Sequence, residues 1–253
     1  MMEYIRERAL KGEYLAGAWC NLGNPLTVEM AGVAGFDWVM IDQEHGVGDN
    51  MTLLHQVQAV ARFPTTVLLR VPWVDRILYK KALDIGVGGI LTPFVQTAAE
   101  AREVVRFTKY PPMGERGVAS SPRCADFASN FADYFENANS RLINLVQIET
   151  GKAVENAEEI AAVDGIDVLL IGPMDLSIST GLRKQVEDPA YVKLLEHVAK
   201  AARSKGKAAG FHCPNMKWLP MLKEFGYTFI ASGTDGGYVM NTLKSTLTAL
   251  REG

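Results

Sequence analysis

Short apolar, β-branched runs alternate along the chain with longer segments whose apolar residues recur at helical spacing. The alternation repeats eight times without a linker or low-complexity break. The runs lie at 14–20 (YLAGAWC), 36–42 (FDWVMID), 65–71 (TTVLLRV), 88–94 (GGILTPF), 142–149 (LINLVQIE), 166–172 (IDVLLIG), 207–213 (KAAGFHC) and 227–232 (YTFIAS). Most are apolar on both faces, as parallel strands covered by helices must be. Segments such as 75–85, 97–108, 151–161 and 188–204 open on a cap or turn residue and close near Gly or Pro, which predicts the crossover helices. Eight βα units in this length predict a closed α/β architecture, the (β/α)8 TIM barrel, as one domain over residues 1–253. An open doubly wound sheet is the alternative. One excursion breaks the rhythm: residues 110–140 carry YPPMGERGVASSPR and then an aromatic helical segment, FASNFADYFENANS. Such a long insertion is usually functional or a contact surface.

A chain of 253 residues, 48% hydrophobic, can build a sizeable core without disulfides or metal. A formal net charge of -3, with both signs interspersed, leaves no stripe for nucleic acid or an anionic membrane, so a small-molecule partner is expected. Cys20, Cys124 and Cys213 are odd in number and far apart, which argues against a disulfide framework and fits a reducing cytoplasm. The first residues, MMEYIRERALKGEY, are charged and helix-like, and no run approaches the ~20 apolar residues of a membrane span.

Chemistry in such a barrel belongs at the carboxyl ends of the strands, where the loops converge on one mouth. The run VMIDQEHG (39–46) leaves an apolar strand for Asp42, Glu44 and His45. The third strand ends in Arg70, the fifth in Gln147 and Glu149, the sixth in Gly172 with Asp175 three residues on, the seventh in His212. An isolated His or Asp after a strand is more often a helix cap or loop hydrogen-bonder than a catalyst; the concurrence of these residues at one rim points to a site. Glu149 and Asp175 follow neighbouring strands ~5 Å apart, and two such anions tolerate proximity best around a hard divalent cation. Arg70 could hold a carboxylate or oxyanion, or simply be an ion-paired rim residue. His45 could act as a base oriented by Asp42 or Asp84. SGTDGG (232–237) lies where barrels often bind phosphate, but Asp235 would repel it, and a capped turn is the better reading.

The stretches FDWVMIDQEHG (36–46), LLRVPW (68–73), YPPMGERGVAS (110–120), LVQIET (145–150) and IGPMDLS (171–177) together resemble the class II, metal-dependent pyruvate aldolases. These include hydroxy-oxoheptanedioate aldolase and the 2-keto-3-deoxy sugar-acid aldolases, and the likeness runs over nearly the whole chain. The resemblance implies Glu149 and Asp175 as ligands of Mg2+, Mn2+ or Co2+, His45 in proton transfer and Arg70 on the keto acid. It implies Gln147 and the backbone around Gly172, Pro173 and Met174 beside pyruvate, and Asp84 reaching a neighbouring subunit's histidine. It further implies a hexamer, a trimer of dimers, with an exchanged C-terminal helix at about 236–251. Gln43, Met174 and His212 depart from the family pattern, and all three are expected near the aldehyde.

The reaction this implies is reversible cleavage of a 4-hydroxy-2-oxoacid to pyruvate and an aldehyde. His45, or a water it helps deprotonate, takes the 4-hydroxyl proton while Arg70 shares the enolate charge. Arg116 or Arg123 of the long loop is a candidate for the far end of an acidic substrate. A Schiff-base aldolase would need a lysine at a strand end, and no strand ends in one. Two rival functions would draw on the same residues: oxaloacetate-type decarboxylation through the same enolate, and non-catalytic binding of a keto acid.

Overall fold

The computed structural model describes residues 3–252. A short helix α1 (Arg6–Leu10) precedes β1 (Leu15–Cys20), α2 (Pro25–Ala34), β2 (Trp38–Asp42), α3 (Asn50–Val60), β3 (Thr66–Arg70), α4 (Arg76–Ile85), β4 (Gly89–Thr92) and α5 (Ala98–Thr108). After a 3-10 turn at Arg123–Ala128 come α6 (Phe131–Arg141), β5 (Ile143–Ile148), α7 (Gly151–Glu155), α8 (Ala157–Ala161), β6 (Val168–Ile171) and α9 (Pro173–Ser179). The chain closes with α10 (Pro189–Ser204), β7 (Ala208–Cys213), α11 (Leu219–Phe225), β8 (Tyr227–Ser232) and α12 (Asp235–Glu252). The eight strands pair in sequence order, all parallel, and β8 pairs with β1 to close the barrel. The expected barrel is observed, and the open sheet is excluded.

Alternation along each strand divides the side chains between two cores. Leu15, Trp38, Met40, Leu68, Leu91, Leu145, Leu170 and Phe229 fill the barrel interior. Their neighbours, such as Val39, Leu69, Val146 and Leu169, meet the helices outside. The interior is tight: the Trp38 indole stacks on Phe229 with centroids 4.3 Å apart and occupies the space a Cβ on Gly17 would need. At the amino-terminal end α1 plugs the cylinder with Ile5 and Ala9, and Arg6 Nε reaches the buried Asp167 at 2.8 Å.

The helices start where their caps predict. Asp75 caps α4, Asp188 caps α10, and Thr97 with Glu100 forms a reciprocal capping box on α5. The segment 151–161, expected as one helix, is two, broken at Asn156, whose side-chain amide donates to the Gln96 carbonyl at 2.8 Å. The excursion lies between α5 and β5 and therefore at the amino-terminal end of the barrel, opposite the mouth. α12 follows β8 but leaves the barrel surface: of its residues only Asp235 is buried, while Met240, Leu243, Leu247 and Leu250 are exposed at helical spacing. No helix among the described residues is long and apolar enough to cross a membrane.

Candidate active site

At the carboxyl end of the strands the inward-facing layer changes from apolar to polar. Asp42 and Arg70 are direct register partners on β2 and β3. Arg70 Nε donates to Asp42 Oδ1 at 3.0 Å and Nη2 to Oδ2 at 2.6 Å. Its Nη1 lies 2.8 Å from Glu44 Oε2, yet that oxygen has no properly aligned hydrogen bond, so the contact is ionic. The guanidinium sits 5.0 Å over the Trp19 ring, and Trp19 Nε1 donates to Asp42 Oδ2 at 3.2 Å. Burial pushes the Asp42 pKa up, but the Arg70 hydrogen bonds and charge outweigh it and leave the group below the usual carboxylate range. Trp19 also packs against His212, with the rings tilted and their centroids 4.6 Å apart. His212 Nε2 lies 3.0 Å from the Gly233 carbonyl, which can only accept, so that nitrogen carries the proton and Nδ1 is bare. Burial lowers the His212 pKa and keeps the ring neutral at pH 7.

Glu149 directly follows β5 and is 1% exposed. Its Oε1 accepts the Phe94 backbone N–H at 2.7 Å, and its Oε2 accepts from the Gln147 side-chain amide. Asp175 stands in the first turn of α9, directly after the neighbouring strand β6. Burial, together with the charges of Asp175 and Glu44, pushes Glu149 up to about 7 against the pull of the Phe94 and Gln147 bonds. Burial likewise raises Glu44, with Asp42 and Asp175 adding and Arg70 and His45 opposing. Three carboxylates thus share one field at the mouth. Gly172 leaves room for Glu149 and for Gln147 beside it: a Cβ there would lie 2.6 Å from Gln147 Nε2 and 2.7 Å from Glu149 Oε2.

This donor set fits a hard divalent cation. Two buried acceptors beside the carboxylates, Gln147 Oε1 and Glu44 Oε2, have no hydrogen-bond donor. Among the described residues no three His, Cys, Asp or Glu side chains come close enough to enclose an ion. An ion completed by water and substrate oxygens, as Mg2+ or Mn2+ accepts, suits two carboxylates better than zinc, which takes three or four protein ligands.

Not every expected residue meets at the mouth, and within one chain the roles given to Asp84, Arg116 and Arg123 need correction. His45 is at the rim, its side chain 68% exposed, and its ring neighbour is Glu44, with Nε2 3.7 Å from Oε1. Asp42 reaches His45 only through the backbone N–H, at 3.2 Å. Asp84 lies in the last turn of α4, at the far end of the barrel, where its Oδ1 accepts from Arg116 Nη2 at 3.0 Å; it cannot orient His45 within one chain. Arg116 is buried against Tyr110 and Tyr134, and Arg123 donates to the Ile85 carbonyl at 2.8 Å. Neither arginine reaches the mouth of its own barrel, because the loop that carries them precedes a strand and does not follow one. Gln43, expected near the aldehyde, braces its own loop by donating to the Asp49 carbonyl at 3.0 Å. Pro173 is buried with its carbonyl taken up by Tyr191 and Gln185, whereas Met174 is exposed at the rim. Asp235 accepts from the Asn21 and Leu22 backbone N–H groups and the Thr27 hydroxyl, which makes SGTDGG a loop tie.

Trp19 is not conspicuous in the sequence because it sits inside an unbroken apolar run. The usable signal is its parity: counted in steps of two from Leu15, it faces inward at the last layer of β1.

The profile of the HpcH/HpaI aldolase/citrate lyase family matches residues 15–242. The 5-keto-4-deoxy-D-glucarate aldolase of Klebsiella pneumoniae subsp. pneumoniae is 37% identical over 93% of this chain and 92% of its own. The 4-hydroxy-2-oxo-heptane-1,7-dioate aldolase of Escherichia coli is 39% identical over 92% of this chain and 90% of its own. The crystal structure of an HpcH/HpaI aldolase from Desulfitobacterium hafniense DCB-2 superposes with a TM-score of 0.92 at 32% identity, over 99% of this chain and 98% of that one. Fold and sequence agree, and the chain belongs to the HpcH/HpaI aldolase/citrate lyase family.

Proposed function

We propose that the protein is a carbon–carbon lyase that reversibly cleaves a 4-hydroxy-2-oxoacid, of the 2-keto-3-deoxy sugar-acid or 4-hydroxy-2-oxoheptanedioate type, to pyruvate and an aldehyde. The observation that carries this is the buried Glu149 beside Asp175, on adjacent strand ends at the same mouth as the Arg70–Asp42 clamp. Glu149 and Asp175 would hold the divalent ion, which when bound supplies Lewis-acid stabilisation of the pyruvate enolate. Arg70, fixed by Asp42 and Glu44, keeps part of its donor set free for a substrate oxygen. Gln147 holds one Glu149 oxygen, and Gly172 leaves the substrate a close approach to both. His45, exposed at the rim beside Glu44, takes the proton from the 4-hydroxyl. The only buried lysine among the described residues, Lys109, donates to the Asn139 and Leu142 carbonyls at the far end of the barrel, which speaks against a Schiff base.

The same reading makes residues 1–253 one domain that works as an oligomer in a reducing cytoplasm, its three cysteines being free thiols. The bare stripe of α12, and Leu26, Met30 and Val33 exposed on α2, support an exchanged C-terminal helix. Asp84 would then act on His45 of a neighbouring subunit. The test is chelation followed by Mg2+, Mn2+ or Co2+ over a panel of 4-hydroxy-2-oxoacids, read as pyruvate release. Metal-restored turnover supports the proposal; turnover that persists after chelation, or a pyruvate adduct trapped by borohydride, defeats it.

A further inference from the structure

Among the described residues, Phe94, Asp126, Phe127, Ala128 and Gln185 adopt a left-handed backbone without being glycine. Of these, only Phe94 (φ 53) touches one of the two carboxylates at the mouth. A left-handed phenylalanine is strained where glycine would cost nothing, and such strain persists only where the surroundings impose it. Side-chain burial does not explain it: Phe94 is 37% exposed and its ring meets Trp73 only at a tilted 6.2 Å. The residues on either side are tied down. Thr92 is bonded to the Tyr79 hydroxyl at 2.8 Å, Val95 is fully buried, and Gln96 gives its N–H to Glu100 and its carbonyl to Asn156. Between these anchors the left-handed turn aims one N–H group, whose acceptor is Glu149 Oε1 at 2.7 Å.

We propose that Phe94 is a positioning residue for the metal, its left-handed backbone holding the Glu149 carboxylate in the orientation that grips the ion. This rests on Glu149 as a metal ligand. The inference concerns the backbone, not the ring: any residue that keeps both the left-handed turn and the N–H would serve. Partners that orient a ligand typically account for about tenfold to a hundredfold in metal affinity.

The test is Mn2+ affinity, titrated on the full-length protein by electron paramagnetic resonance, for wild type, Glu149→Gln, Phe94→Gly, Phe94→Pro and Phe94→Val, with far-ultraviolet circular dichroism to verify folding. Phe94→Gly, which favours the turn and keeps the N–H, should bind within about threefold of wild type. Phe94→Pro, which deletes the N–H and forbids positive φ, should weaken binding by tenfold or more. Phe94→Val, whose β-branch resists the turn, should fall between them and carries the test if the proline variant does not fold. Equal affinity of wild type and the proline or valine variant overturns the proposal, as does a glycine variant as weak as the proline one. If wild type binds no Mn2+, or Glu149→Gln binds it equally well, the failure lies in the metal reading itself.

Discussion

Arg70 and Asp42 meet at two points, Nε to Oδ1 at 3.0 Å and Nη2 to Oδ2 at 2.6 Å, with both side chains almost fully buried. Arg70→Ala would leave Asp42 and Glu44 without their cation, at a cost of roughly 3–5 kcal/mol in unfolding free energy. Arg70→Lys keeps the charge but loses the fork, and should cost about a hundredfold in turnover while the protein stays folded. The Asp42 pKa is depressed, so the stability this pair supplies is present above the ordinary carboxylate range and is lost as pH falls through the folded-state value. Urea unfolding of wild type and Arg70→Ala at neutral and acid pH checks both; an unfolding difference independent of pH would refute the pairing.

Glu149 runs the other way. Its folded-state pKa is raised to about 7 from 4.5, so the folded chain holds this proton more tightly than the unfolded chain. In the metal-free protein the contribution is fully present below the unfolded value and is lost as pH rises to about 7. Glu149→Gln should therefore be more stable than chelated wild type by roughly 1–3 kcal/mol at pH 8, with the gap closing near pH 4.5, and inactive at both. Denaturant melts of chelated protein at the two pH values decide it.

Gly172→Ala places a methyl group 2.6 Å from the Gln147 amide and 2.7 Å from the Glu149 carboxylate. Both are side-chain ends, so they give way and the barrel survives, but the Glu149 carboxylate is turned. Metal affinity should drop about tenfold to a hundredfold with the thermal midpoint little changed, as calorimetric titration and a thermal melt would show. Undiminished affinity would mean that the close approach serves no purpose at this rim.

Leu243 and Leu247 lie on the exposed stripe of α12. Replacing both by Glu should leave the barrel folded by circular dichroism and reduce the assembly size measured by light scattering. An unchanged mass would show that this stripe covers nothing in solution.

The barrel is legible in the sequence because parallel strands buried on both faces advertise themselves as continuous apolar runs, and every strand falls within its expected range. The mouth is legible for the same reason in reverse: a polar residue that ends such a run has few other places to be. What the chain hides is depth and side. Trp19 looks like core because it is buried in the interior cluster as well as bordering the polar layer. Arg116 and Arg123 look like anchors for an acidic substrate because the loop that carries them is long, yet a loop that leads into a strand opens at the wrong end. Asp84 and His45 are unlinked in one chain, and no spacing rule can bring them together. Asn156 breaks a helix through a bond to Gln96, a distant residue that local periodicity does not register.

The polar layer draws Trp19, Asp42, Arg70, Glu149 and His212 from five strands or their ends, with β1 and β7 near opposite termini and each paired with β8. No contiguous fragment holds this constellation. Its completion waits on the seam between first and last staves, the slowest kind of contact for a polymer to make. During refolding, recovery of pyruvate release should trail recovery of helical signal, because competence here is a property of the finished ring.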